Sequence, residues 1–294
     1  MSQASIRGFF DEATFTISYL VSDPATKRAA IIDPVLDFEP GGGVADSRSI
    51  DVILGVARDE GLGVDWVLET HAHADHLSAA PVVKAATGAK IGIGEHITRV
   101  QDILRPLFLA QDIAPDGRDF DRLFADGERF ALGELDVEVL YTPGHTPACV
   151  SYRIGDVVFV GDTIFMPDYG TARADFPGGD ARALYHSIRR LLALPPQTRL
   201  FMCHDYNAPG RDFYLWETTV AEERAKNVQI RDGVSEAEFV ASRKARDKAL
   251  AAPRLLLPSV QVNIRAGRFP PAGPDGRRRL LIPVTFPGAA APGD

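Results

Sequence analysis

The chain is short of cysteine, of positive charge and of long apolar runs. Its 294 residues include two cysteines, Cys149 and Cys203, which lie far apart and outside any CxxC pair, so a disulfide framework is excluded and a reducing compartment is expected. Cys203 precedes His204 but closes the apolar run Leu200 to Met202, and reads as a small buried hydrophobe. No segment approaches the roughly 20 apolar residues of a membrane-spanning helix. Met1 to Ala13 lacks the apolar centre of a signal peptide, so a cytoplasmic protein without a membrane partner is expected. Acidic residues outnumber basic ones, for a net charge of -8, which argues against a nucleic-acid partner, since binding phosphates needs a concentrated basic face. With 45% hydrophobic and 24% charged residues the composition is that of a globular protein. The expected organisation is one catalytic domain over 1–252, carrying an insertion at 99–121, followed by a Pro/Gly/Arg-rich extension over 253–294 packed on the domain or at a dimer interface.

What is present in excess is concentrated in Thr70-His71-Ala72-His73-Ala74-Asp75-His76. Three imidazoles and a carboxylate within six residues have no use in a packed core, where each imidazole must hydrogen-bond or ligate something. The stretch follows the apolar, strand-like Val64 to Leu68 and precedes the helix-like Leu77 to Ala86. It therefore belongs on a loop at a strand end, and its mixture of nitrogen and carboxylate suits zinc or iron(II). Three further sites repeat the plan: His145 beyond the strand Leu135 to Leu140, Asp162 beyond Val157 to Val160, and His204 beyond Leu200 to Cys203.

Elsewhere, alternation at Phe15, Ile17, Tyr19 and Val21 predicts a strand, paired across a turn with Arg28 to Asp33. Asp37 to Ser47, with Pro40-Gly41-Gly42-Gly43, reads as a flexible loop. Helices are expected over Ser49 to Glu60, Ile97 to Leu109, Ala181 to Leu194, Glu217 to Asn227 and Glu236 to Ala251. Acidic Ala110 to Asp121 looks like a surface insertion able to serve as a lid. His96 and His186 lack neighbouring ligands and are read as surface or packing residues. Strands and helices interleave without a uniform βαβ order, which favours a mixed-sheet sandwich with helices outside.

The ordered set HxHxDH, Pro143-Gly144-His145-Thr146, Gly161-Asp162 and His204 resembles the metallo-β-lactamase superfamily across most of the chain. The resemblance implies an α/β (α+β) fold, an αββα sandwich of two mixed β-sheets flanked by helices with metal at one edge. Patterns outside the metal motif, Ile32-Asp33-Pro34-Val35-Leu36, Arg173-x-Asp175-Phe176, Leu184-Tyr185-His186-Ser187, His204-Asp205-Tyr206 and Glu222-Glu223-Arg224-x-x-Asn227, are similar to persulfide dioxygenases, also called sulfur dioxygenases. Glyoxalase II enzymes typically show His at the position of Ala72. The chain departs from the better-known dioxygenases at Met202-Cys203, over Arg99 to Asp121 and at Asp168-Tyr169-Gly170, which bears on the size and closure of the pocket.

By that resemblance one Fe(II) per chain is held by His71, His145 and Asp162, two imidazoles and a carboxylate that leave positions open for substrate and dioxygen. His73, Asp75, His76 and His204 then surround it or make up a second metal site. Arg173, Tyr206, Arg243 and Arg246 are the candidates for gripping glutathione as thiol carrier, guanidinium groups being the natural clamp for carboxylates. The implied activity is oxidation of glutathione persulfide by O2 to sulfite and glutathione, by a homodimer. The residues equally furnish two Zn or Fe for a thioester hydrolase of glyoxalase II type (hydroxyacylglutathione hydrolase), or for another hydrolase of this fold. Residue identity alone leaves these open.

Overall fold

All seven residues of the strand Thr16–Ser22 are buried, because this strand is covered on both faces. The computed structural model describes residues 3–284 and places this strand second in a six-stranded mixed sheet. The spatial order is Ser5–Asp11, Thr16–Ser22, Arg28–Ile32, Gly63–Leu68, Lys90–Gly94 and Arg122–Phe124. Its first three strands run antiparallel and the rest pair in parallel. A second six-stranded sheet follows chain order as Arg129–Leu132, Leu135–Tyr141, Val150–Ile154, Val157–Phe159, Arg199–Phe201 and Glu217–Thr219.

The two sheets bury their facing sides against each other. Ile17, Tyr19, Val21, Ile32 and Leu68 meet Val137, Val139, Tyr152 and Phe159. The outer face of the first sheet, with Leu20, Ile31, Val67 and Ile93, is covered by helices α1 (Arg48–Asp59), α2 (Ala80–Thr87) and α3 (Ile97–Leu107). The outer face of the second, with Val158, Val160 and Leu200, is covered by α4 (Ala181–Leu192), α5 (Val220–Lys226) and α6 (Glu236–Asp247). Local chemistry sets the ends of these helices. Asp180 caps α4 by accepting from the Ala183 amide, and Ser235 with Glu238 forms a capping box at α6. Leu184, Ile188 and Leu191 of α4 are fully buried, each contributing about 1.5–3 kcal/mol of transfer free energy. The layers are thus α, β, β, α. No helix of the described residues is long and apolar enough to cross a membrane.

Three segments differ from expectation. Asp37 to Ser47 is an ordered hairpin, Val35–Glu39 against Val44–Asp46. Its turn is held by the Glu39 carboxylate, which accepts from the amides of Gly41 and Gly42. Ala110 to Asp121 is no lid. Ala110, Ile113 and Phe120 are buried in the core beneath the first sheet, and none of the segment lines the pocket over the metal ligands. The chain after Pro253 forms a further helix, α7 (Leu256–Asn263), with Val260 and Val262 in that same core. It is bound to the insertion through ion pairs Arg265–Asp112 (2.7 Å) and Arg268–Asp119. Residues 285–294 of the expected extension lie outside the described residues.

Candidate metal centre

The HxHxDH loop leaves the first sheet at Leu68 and is organised by Asp33, at the end of the neighbouring strand. Asp33 adopts φ 48°, a left-handed turn that Asp tolerates better than most residues. Its carboxylate accepts from the Thr70 amide (2.7 Å), the Thr70 hydroxyl (2.9 Å) and His73 Nε2 (2.9 Å). Burial pushes its pKa up, but His73 and Thr70 outweigh this and hold it below the ordinary carboxylate range. Asn263 of α7 closes the loop from the other side. Its Oδ1 accepts from the Ser78 amide (2.9 Å), and its Nδ2 donates to the carbonyls of His73 and His76 (2.8 Å each).

The remaining ligands arrive on strand ends of the second sheet. Gly144, φ 140°, packs so close to the Leu184 backbone that a Cβ would overlap it; this seats His145. Gly161, φ 54°, lies where an added Cβ would stand 2.7 Å from Thr70, and delivers Asp162 beside the loop. His204 bridges to Thr16 of the first sheet, so the two sheets meet at the centre.

Every one of the five histidines is held by its outer nitrogen. His145 Nδ1 donates to the Arg173 carbonyl (2.8 Å) and His204 Nδ1 to that of Phe15 (3.2 Å). His71 Nδ1 meets the Thr70 hydroxyl (3.1 Å), whose proton is already given to Asp33. His76 Nδ1 meets that of Thr16 (3.3 Å). A carbonyl can only accept, so the tautomers of His145 and His204 are fixed with the inner nitrogen bare, the arrangement that orients metal-binding imidazoles.

The inner atoms converge and have no protein partner. His71 Nε2, His73 Nδ1, His76 Nε2, His204 Nε2, Asp75 Oδ2 and Asp162 Oδ1 are buried without a hydrogen bond, a costly arrangement unless a cation receives them. With His145 they contribute to two cysteine-free groups, each with ligand atoms within 4.8 Å of one another: His71, His145 and Asp162, and His73, Asp75, His76 and His204. Asp162 stands between them, Oδ2 at 3.5 Å from His145 Nε2 and Oδ1 at 3.2 Å from His204 Nε2. Burial and the neighbouring imidazoles push the His71 pKa well down, which favours the neutral ligand form. Asp75 is held well below the carboxylate range: burial, which raises it, is outweighed by His204 and His76. The donor set fits metal at both groups.

A pocket of about 400 Å³ opens over His145, Asp162 and Asp75. Phe176 stands edge-on to the His145 ring, and Tyr206 stacks on His204 at 5.4 Å. Of the arginines expected to bind the thiol carrier, Arg173 and Arg243 line the pocket with their forks already engaged. Arg173 holds Asp175 (2.6 and 2.9 Å) and the Ala251 carbonyl. Arg243, 2% exposed, holds Asp247 (2.9 Å), the Thr171 carbonyl and Gln229. Arg246 is exposed at the pocket, 5.4 Å from the Tyr169 ring. Both cysteines are buried; Cys203 lies 3.7 Å from Asp33 and Cys149 is pushed by burial up to about 12. No sequence signal pointed to Asn263, in a segment read as a tail, or to Arg254, which also lines the pocket. Asp33 was visible only as part of a family pattern.

The model of the metallo-β-lactamase superfamily matches residues 13–204, the span from the first pocket residue to the last ligand. The chain belongs to this superfamily. Among its metallo-β-lactamase relatives, a probable metallo-hydrolase of Burkholderia pseudomallei is 53% identical over 95% of this chain and 99% of its own. A glyoxylase B2 of Dictyostelium discoideum is 44% identical over 97% and 98%, and the mitochondrial persulfide dioxygenase ETHE1 of Bos taurus 28% identical over 91% of each. The crystal structure of ETHE1 from Myxococcus xanthus superposes with TM-score 0.72 at 30% identity, covering 90% of this chain and all of that one. The superfamily fold and a metal-binding enzyme site are therefore common ground, and relatives of hydrolase name are the more similar in sequence.

Proposed function

We propose that the protein is a glutathione-dependent persulfide dioxygenase, converting glutathione persulfide, O2 and water to glutathione, sulfite and two protons. The observation that carries this reading is the grouping of His71, His145 and Asp162, two imidazoles and one carboxylate with His145 and Asp162 on the pocket floor. That donor set suits mononuclear iron(II), which when bound supplies open positions and redox chemistry toward O2. The likeness to the Myxococcus structure and Ala72, where glyoxalase II enzymes typically carry His, support it. The chain's own residues prepare the site. The Arg173 carbonyl holds the His145 ring with Nε2 bare, and Phe176 and Tyr206 pack against the rings of His145 and His204. Burial raises the Tyr206 pKa, so its hydroxyl stays a neutral donor in the pocket.

A second reading is a two-metal thioester hydrolase of glyoxalase II type. It is favoured by the buried, unpartnered atoms of the second group, with Asp162 placed to bridge, and by the names of the relatives at 53% and 44% identity, a probable metallo-hydrolase and a glyoxylase. Metal content of anaerobically purified protein, measured with oxygen uptake and sulfite release on adding glutathione persulfide, decides between them. One iron per chain with O2 consumed is expected. Two metals per chain, no oxygen uptake and hydrolysis of S-lactoylglutathione would replace the first reading by the second.

A further inference from the structure

Behind the HxHxDH loop lies a second, smaller cavity of about 90 Å³, against about 400 Å³ for the pocket over the ligands. Its inner end is formed by Ala72 and Ala74, the two small residues that alternate with His71, His73 and Asp75. Helix α3 supplies one side with Val100 and Leu104, and α7 the other with Leu257 and Val260. Leu107, half-exposed, stands at the solvent end. Ala74 and Phe176 line both spaces, and the Phe176 ring stands edge-on to His145 with centroids 5.0 Å apart.

The two spaces differ in chemistry. The larger is bordered by Asp75, Asp162, Arg173 and Arg246, and suits a charged, hydrated substrate. The smaller has one polar side chain in its lining, Thr146, whose hydroxyl accepts from the Ala148 amide (3.2 Å) and meets Cys149 Sγ (3.1 Å). A water needs two to four polar partners, so a space without them stays dry and takes apolar solutes. This one exceeds the roughly 10–15 Å³ that a single small molecule requires and falls well below the ~300 Å³ at which sites for larger ligands begin. The His that glyoxalase II enzymes typically carry in place of Ala72 would reach into it, so the cavity goes with the alanine of this chain.

We propose that this apolar cavity is the binding and entry site for dioxygen, while the thiol persulfide enters by the larger pocket. The assignment rests on the dioxygenase reading and adds to it separate routes for two co-substrates of opposite polarity. Dioxygen is small and apolar, and gains free energy on leaving water for an apolar surround. Its way from the cavity to His145 leads past Ala74 and Phe176, the residues common to both spaces.

Xenon, a small apolar probe, tests the site without turnover. In crystals of metal-loaded protein pressurised with xenon, an atom is expected among Val100, Leu104 and Val260, and none in Leu104→Phe, which fills the space. In solution, Leu104→Phe and Leu107→Trp, the second at the exposed mouth, are each expected to raise KM for O2 about threefold or more. KM for glutathione persulfide, kcat at saturating O2 and iron content should stay unchanged. Should Leu104→Phe overpack the core, Leu107→Trp and wild type carry the test, since dissolved xenon is expected to raise the apparent KM of wild type for O2 and leave that for the persulfide as it was. A cavity that takes no xenon overturns the assignment. So does an unaltered KM for O2 both in Leu107→Trp and under xenon while O2 is still consumed, an outcome that leaves the dioxygenase standing and removes the route. Wild type that takes up no O2 removes the dioxygenase reading and the oxygen assignment together, even with xenon bound.

Discussion

Asp162 presents one carboxylate oxygen to each ligand group, Oδ2 toward His145 and Oδ1 toward His204, so its loss removes a donor from both. Asp162→Ala should reduce retained metal to below about a tenth of wild type while leaving the far-ultraviolet circular dichroism unchanged, since losing one ligand of a small set costs more than an outer-shell change does. Full metal content in that variant would remove Asp162 from the centre. At this scale the candidate donors were legible from the sequence, because a metal-binding side chain is chosen for its donor atom and short spacing reveals it. The free or engaged state of an arginine was not legible. Arg173 and Arg243 fell in promising positions, yet Asp175 and Asp247 occupy them.

At the scale of elements, α7 acts on the centre through Asn263, whose amide neutralises two carbonyls and one amide of the ligand loop. Asn263→Ala leaves those groups buried and unpaired, and should cost about 2–4 kcal/mol in urea unfolding, with weaker metal retention measured by chelator competition. Unchanged retention would confine Asn263 to stability alone. On α5, Glu223 is buried with Oε1 unpartnered, and its Oε2 accepts from Asn227, which also donates to the Gly170 carbonyl beside the pocket. Burial pushes its pKa from 4.5 up to about 8.

Below pH about 4.5 both folded and unfolded chains hold this proton, and the group's contribution is fully present. As the pH rises to about 8 the unfolded chain releases the proton while the folded one keeps it, so stability is lost across that window. Glu223→Gln has no such dependence. The ratio of variant to wild-type stability should rise from pH 5 to pH 8 and level off above; parallel curves would exclude Glu223 as the source.

For the whole molecule, the two sheets converge at one edge and bring ligands from residues 71 to 204 within a few ångströms. Metal should therefore stabilise the entire chain, because it binds a site that exists only when both sheets are assembled. Stripping with a chelator is expected to lower Tm by about 5 °C or more, with recovery on adding back iron(II) or zinc. Identical melting curves for stripped and loaded protein would show that water alone satisfies the inward-facing nitrogens.

The sequence by itself offered the candidate donors, because spacing and donor chemistry are local properties, and through its motifs the resemblance that implied the sandwich and the superfamily. Tertiary structure decided which arginines remain free, that Ala110 to Asp121 is core and no lid, and that a segment read as a tail carries Asn263 to the metal loop. Asp175 and Asp247 are near neighbours of the arginines they occupy, but other contacts behind these outcomes reach 72 to 190 positions along the chain, as between Arg243 and Thr171 or Asn263 and His73. No window of sequence contains both halves of such a contact.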